Sequence, residues 1–192
     1  MTDQEALDLF IIYLTSEKGY SSNTIESYNR DILEFKDFLV SERMARGLLM
    51  LRNSRISQNY VSYLSKENLA STSIHQKISA LTTFYDYLLA KGIVKDNYFK
   101  DIDLPKIPKR LPKIIKEEEI MLLFDSCDLN NKLGYRNYCI LGCLYGCGLR
   151  VSELCNLEIK DIDFSNRTIL IHGKGSKDRV VIMYEELSEC LK

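Results

Sequence analysis

The sequence contains no tryptophan, two histidines and three prolines, and its six cysteines form no CxxC pair. Structural zinc sites combine close cysteine pairs with histidine, so Cys127, Cys139, Cys143, Cys147, Cys155 and Cys190 argue against a metal centre. Cys139, Cys143 and Cys147 recur every four residues, which sets them on one helical face as small free hydrophobes. No apolar run approaches the roughly 20 residues of a membrane span, and the opening MTDQEALDLF lacks the basic-then-apolar order of a signal peptide. The expectation is a cytoplasmic protein with no metal and no membrane partner. Neither sign of charge is in excess: 26 Lys and Arg stand against 27 Asp and Glu. That balance excludes a chain basic over its whole surface but leaves room for local basic patches.

What is present is ordinary globular composition. The 192 residues are 45% hydrophobic and 28% charged, enough for one domain or two small ones. All three prolines fall in DLPKIPKRLPKIIK, Asp103 to Lys116. Each removes a backbone donor and disfavours helix in the residue before it, so this segment reads as an extended, semi-rigid linker. It divides the chain into 1–102, a linker over 103–116, and 117–192. Lys106, Lys109, Arg110, Lys113 and Lys116 make it strongly positive. Basic residues at such spacing suit the backbone of a polyanion, although a solvated charged linker has the same composition.

Before the linker the pattern is helical. Thr2 with Glu5 is a capping-box signature for a helix ending near Gly19, with Leu7, Phe10, Ile11 and Leu14 inward. Ser21 is placed to cap a second helix, whose Ile25, Tyr28, Ile32, Phe35 and Leu39 form one buried stripe. A third helix is expected over about 57–67 and a fourth over about 72–90, burying Ile74, Ile78, Leu81, Tyr85 and Leu88 and ending at Gly92. Four helices make a small bundle. After the linker, 117–127 reads as a short helix and 132–145 as a longer one, nearly all apolar and expected to be buried on most sides. A helix then runs from Leu149 to about Leu157. Residues 159–164, 168–172 and 179–183 alternate like strands, and 185–192 begins a last helix.

One charge is out of place. In GCGLRVSEL, Arg150 would share a helical face with Leu154 and Leu157 and point toward the core edge. A guanidinium there needs a partner, and Glu153 lies one turn away. A purely structural ion pair satisfies that pattern. The turn HGKGSKDR adds a second feature, because Gly173 and Gly175 allow a hairpin tip to approach another backbone and project Lys174 between them. Its spacing is not that of a phosphate-binding P-loop, and GCGLRV lacks both the third glycine and the preceding strand of a dinucleotide fingerprint. ATP and NAD are therefore excluded as expected ligands.

Together these stretches resemble the tyrosine recombinases and phage-type integrases, particularly those of the Xer type. YSSNTIESYNRDILEFKDFL is similar to the second helix of that family's core-binding domain and KISALTTFYDYL to its fourth. PKRLPKIIKEEEI is similar to the interdomain linker and first catalytic-domain helix. GLRVSEL resembles the motif of the first catalytic arginine, and GKGSKDRVV the hairpin of the catalytic lysine. The resemblance implies a mainly α fold with a small antiparallel β-sheet, comprising an N-terminal four-helix, SAM-like core-binding domain and the first part of an α+β catalytic domain. It implies double-stranded DNA as substrate, other recombinase subunits as partners in a tetramer on DNA, and no cofactor. Arg150 would grip the scissile phosphate, Lys174 would protonate the leaving 5′ oxygen, and Glu153 would orient Arg150. Thr24, Lys77, Lys106, Lys109 and Arg110 would contact DNA.

The pattern also departs from the family. The His-x-x-Arg motif, the further His or Trp and the nucleophilic tyrosine have no counterpart here. His75 and His172 are not followed by arginine three residues on, and Tyr184 sits directly after the hairpin strand rather than at the distant nucleophile position. Asn97 is followed by Tyr98 where the family often has proline, and Thr82 occupies a position that is often basic. Two functions follow: part of a recombinase that cuts and rejoins DNA through a phosphotyrosine, or a catalytically inactive module that binds DNA or recombinase partners. A helical protein-interaction domain without nucleic acid is a third class consistent with the near-zero net charge.

Overall fold

The computed structural model describes residues 1–109, 111, 114–173 and 177–192. Arg110, Lys113 and Lys174 lie outside the described residues. The chain forms two compact units, Met1–Arg110 and Leu111–Lys192, and the division falls inside the proline-containing segment.

The first unit is built on α1 (Asp3–Ser16), α2 (Ser22–Ser41), α3 (Ser54–Lys66) and α4 (Ser71–Ala90). The α1 capping box forms: the Thr2 hydroxyl accepts from the Glu5 amide at 3.2 Å, and the Thr2 amide donates to Glu5 Oε2 at 2.8 Å. Ser21 takes the N-cap position of α2 but its hydroxyl pairs with that of Thr24 at 2.9 Å, leaving the cap without a side-chain bond. The helical stripes meet in one core. Phe10, Phe35, Leu39, Leu81, Phe84 and Tyr85 are completely enclosed, and the Phe35 ring packs against Phe38, Tyr60 and Phe99 with centroids 4.8–6.1 Å apart. Ile102 and Leu104 pack on this core, while Gln58 donates to the Asp103 carbonyl and His75 lies 2.9 Å from that of Pro105. The body of the unit therefore extends past residue 102, because these carbonyls find partners on α3 and α4.

Asn97, out of keeping with the resemblance in sequence, is a buried node. Its amide nitrogen donates to the Thr82 carbonyl and to Asp86, and its oxygen accepts from the Phe99 amide at 3.0 Å. The Thr82 hydroxyl bonds back to the Ile78 carbonyl.

The second unit contains α5 (Glu117–Asp125), α6 (Lys132–Leu141), α7 (Val151–Cys155) and α8 (Glu185–Cys190). Strands β1 (Ile162–Asp163), β2 (Thr168–Ile171) and β3 (Arg179–Ile182) form an antiparallel sheet in that order, with Ile169 opposite Val181. Residues 159–161 form one 3₁₀ turn rather than the start of a strand, because Asp161 reaches back to the Glu158 amide at 3.0 Å. The long apolar helix expected over 132–145 is shorter and opens into a wide turn at Gly142–Gly146. It is not enclosed: Leu133 and Tyr145 are 63% and 58% exposed. Its cover is partial: Tyr138 packs edge-on against Phe124 of α5, the Cys139 thiol reaches the Cys190 carbonyl, and Leu187 of α8 and Tyr184 crowd Gly142. Cys143 is buried in this core and its thiol is pushed up to about 11, first by desolvation. No helix among the described residues is long and apolar enough to cross a membrane, and none of their His, Cys, Asp or Glu side chains gather in groups of three or more that suit a metal.

Candidate active site

The glycine pair before Arg150 determines where α7 starts. Gly148 adopts φ of +64°, the left-handed region that glycine reaches without strain, and the chain then turns so that Leu149 enters the core. Arg150 is left in extended backbone at the N-cap, not within the helix. This corrects the reading of Arg150 as a helical residue pointing at the core edge, since its side chain is 74% exposed. The enclosed charge is instead Glu153, 8% exposed, which stands at the third helical position and closes back on the Arg150 amide at 2.8 Å.

Glu153 holds two arginines. Arg150 Nη1 donates to Oε1 at 2.8 Å, while Arg179, the first residue of β3, donates Nη1 to Oε1 and Nη2 to Oε2, both at 2.7 Å. Arg179 Nη2 also lies 3.5 Å from the Gly148 carbonyl. Bidentate guanidinium–carboxylate pairs are among the strongest charge-assisted hydrogen bonds. The Arg179 fork, then the Arg150 amide, hold the Glu153 carboxyl far below the usual carboxylate range. It stays ionised at any physiological pH.

Sequence reasoning singled out the Arg150 and Glu153 pair and missed Arg179. The signal was present: in a strand, Arg179 shares the inward face of Val181, and an inward arginine requires an acid. It missed His172 as well, whose ring lies 3.4 Å from Asp161 and 3.2 Å from Asp178. Those two carboxylates, Asp178 foremost, raise the His172 pKa. The pair fastens the end of β2 to the 3₁₀ turn and to the start of β3.

Arg150, Glu153, Asn156, Asp161, His172 and Arg179, with Lys177 and Gly173, line a cavity of about 550 Å³. Gly173 is tight against the Lys177 carbonyl, so a side chain there would push the two arms of the hairpin apart. Lys174, expected at the tip, is outside the described residues. Tyr184 does not line this cavity. It faces a separate groove with Met121, Phe124 and Tyr138, and its hydroxyl is pushed up to about 12, chiefly by burial.

The residues expected to contact DNA belong to the other unit. Thr24 lies in the first turn of α2, tied to Ser21. Lys106 and Lys109 are exposed on the strap, next to Arg110 outside the described residues. Lys77 is only 12% exposed, and its ammonium pairs with Asp31 at 3.0 Å and with Glu34. Burial opposes the Lys77 charge, yet the two carboxylates more than offset it and raise its pKa. Reaching a phosphate would require giving up those partners.

Two family models divide this chain: the phage integrase N-terminal SAM-like domain over residues 7–92 and the phage integrase family over 113–192. It is 42% identical over 187 residues to the tyrosine recombinase XerC of Bacillus pumilus, a match over 94% of this chain and 59% of that protein. The chain belongs to the tyrosine recombinase family, Xer-like. XerC of Bacillus subtilis is 35% identical over 186 residues, 96% of this chain and 60% of its own length. The chain thus spans about three-fifths of these curated relatives. Among solved structures, the Tn1549 transposon integrase in complex with transposon right end DNA aligns over 96% of this chain and 62% of its own, with a TM-score of 0.71 and 17% identity. XerH bound to palindromic difH substrate aligns over 87% and 50%, with a TM-score of 0.65 and 23% identity. These two likenesses are of fold: a helical N-terminal domain followed by the helix and small-sheet arrangement seen here.

Proposed function

We propose that this chain is the DNA-binding and first catalytic portion of a site-specific recombinase that cuts and rejoins double-stranded DNA through a covalent phosphotyrosine. The observation that carries the reading is the exposed Arg150 guanidinium, braced by Glu153 in the lining of the cavity to which Gly173, Lys177 and Arg179 also contribute. A planar fork of donors suits the non-bridging oxygens of a phosphodiester, where negative charge grows as phosphorus becomes pentavalent. Lys174 donates a proton to the departing 5′ oxygen. That role requires its pKa to fall from an ordinary value of about 10.4, as a desolvated or cation-rich site would cause. Glu153 is the orienting residue. The attacking oxygen has no candidate in this chain, since Tyr184 lies against Gly142 and Gly146 in a different groove. No cofactor is needed, because the bond energy is stored in the phosphotyrosine.

DNA is held chiefly by Lys106, Lys109 and Arg110 on the strap and by the first turn of α2 at Thr24. The partners are other recombinase subunits, assembled as a tetramer on DNA. The test is duplex DNA binding followed by fluorescence anisotropy between 50 and 200 mM salt, both values set about the range in which phosphate contacts are released. Affinity should fall steeply, and K106Q/K109Q should reduce the log–log slope by about 2. Salt-independent affinity, or no binding at the lowest salt, would sink the proposal.

A further inference from the structure

Glu153 is a carboxylate with every acceptor position used. Its two oxygens receive four donors: the Arg150 amide and Nη1 and both Nη atoms of Arg179. The two arginines share it unequally. Arg179 takes both oxygens with a parallel fork, while Arg150 reaches one oxygen with one side-chain nitrogen and leaves the rest of its guanidinium in solvent. Two guanidiniums against one carboxylate leave the cluster with one positive charge in excess.

That division has an electrostatic consequence. An arginine beside a lone glutamate normally closes into a bidentate, neutral pair, which is the geometry a phosphate needs as well. At this site the competing position is already filled from β3. We infer that Arg179 is a positioning residue that keeps Arg150 available to a phosphate by occupying Glu153. The inference rests on the reading of Arg150 as the phosphate ligand. It extends that reading by making the vacancy of the Arg150 fork a property of a third residue. It also links the parts of the site mechanically. Arg179 stands opposite Ile171, the last pair before the loop that joins β2 to β3, so the bond from β3 to Glu153 fixes the start of α7 relative to those two strands.

The experiment is a titration of the chain with inorganic phosphate at constant ionic strength, following the Arg150 side-chain Nε–Hε signal by ¹H–¹⁵N NMR and, in every variant including those without Arg150, the heat of binding by calorimetry. The wild-type signal should move saturably. R179M should bind phosphate about tenfold more weakly, because Arg150 then closes on Glu153 with a second charged hydrogen bond. R179K supplies the charge without the fork and should be severalfold weaker than wild type; it serves also if R179M does not fold. R150M/R179M should be no weaker than R150M, since Arg179 acts through Arg150. E153Q/R179M should recover affinity relative to R179M, the competing carboxylate having gone. A wild-type signal that ignores phosphate would overturn the phosphate reading of Arg150 and the inference with it. A responsive wild type with R179K or R179M binding equally well would overturn the inference alone. So would additive losses in R150M/R179M, which would make Arg179 a phosphate ligand itself.

Discussion

The two units spend their charged residues in opposite ways. In the first, twenty buried hydrophobic side chains close one core, and its most enclosed charge, Asp31, is matched by Lys77 and locked between α2 and α4. In the second, six buried hydrophobics among the described residues support a smaller core, and Glu153, a largely enclosed acid, serves two arginines whose charges exceed its own. Apolar side chains of α5 and α6, among them Leu122 and Leu133, remain exposed. A buried cluster whose lysine is wholly taken up by its carboxylates braces a scaffold, whereas one that leaves a guanidinium exposed at a cavity presents charge to a ligand. The same residue types therefore make architecture in one place and a candidate site in the other.

The comparison is most severely tested in the first core. Phe35→Ala should cost about 4 kcal/mol, as removal of an enclosed aromatic ring usually does. Hydrogen exchange read by mass spectrometry should then show protection lost across α2, α3 and α4, with β2 and β3 unchanged. Loss spreading equally into the sheet would show that the units do not stabilise themselves separately. Lys77→Met should cost somewhat less, about 3 kcal/mol, because Asp31 is left enclosed without its cation. D31N/K77M should regain most of that in urea denaturation. A K77M chain of wild-type stability that binds DNA poorly would reassign Lys77 from architecture to DNA contact.

Smaller effects are expected in the second unit, and they should depend on pH. Glu153 has a folded pKa below its unfolded value, so its contribution is present above the ordinary carboxylate range and is lost as pH falls through and below it. The gap in thermal midpoint between wild type and E153Q should shrink from pH 6 to pH 3. A gap that stays constant would mean that the arginines gain nothing from its charge. His172 has the opposite sign. Its folded pKa is raised, so its contribution is complete below about 6.5 and lost as pH rises through the higher folded value. The gap between wild type and H172Q should therefore be larger at pH 5.5 than at pH 9, and a reversed order would remove Asp161 and Asp178 as its partners.

Much of the first unit was legible because helical periodicity reports which face is buried. The spacing of Ile32, Phe35 and Leu39, or of Ile74, Ile78 and Leu81, needs no knowledge of what lies opposite. Periodicity says nothing about the carboxylate inside that face, so Lys77 read as a free cation although Asp31 and Glu34 were waiting across the helix pair. In the second unit, composition misled over 132–145. A helix rich in Leu, Tyr, Cys and Ile was expected to be enclosed, but enclosure requires a neighbouring surface on each side. Within the described residues that surface covers one side, with Phe124 against Tyr138, Cys190 against Cys139, and the small core around Gly142 and Cys143.

The sequence by itself determined the helical and strand periods, the proline break between the units, and the pairing of Arg150 with Glu153, because all of these depend on residues near one another in the chain. Only the tertiary structure decided which partner of that pair is enclosed and which is exposed. It also brought in Arg179, 26 positions beyond Glu153, and set Lys77 against α2. Those outcomes depend on where Gly148 turns the chain and on which strand passes beside α7. Short-range spacing carries no term for either.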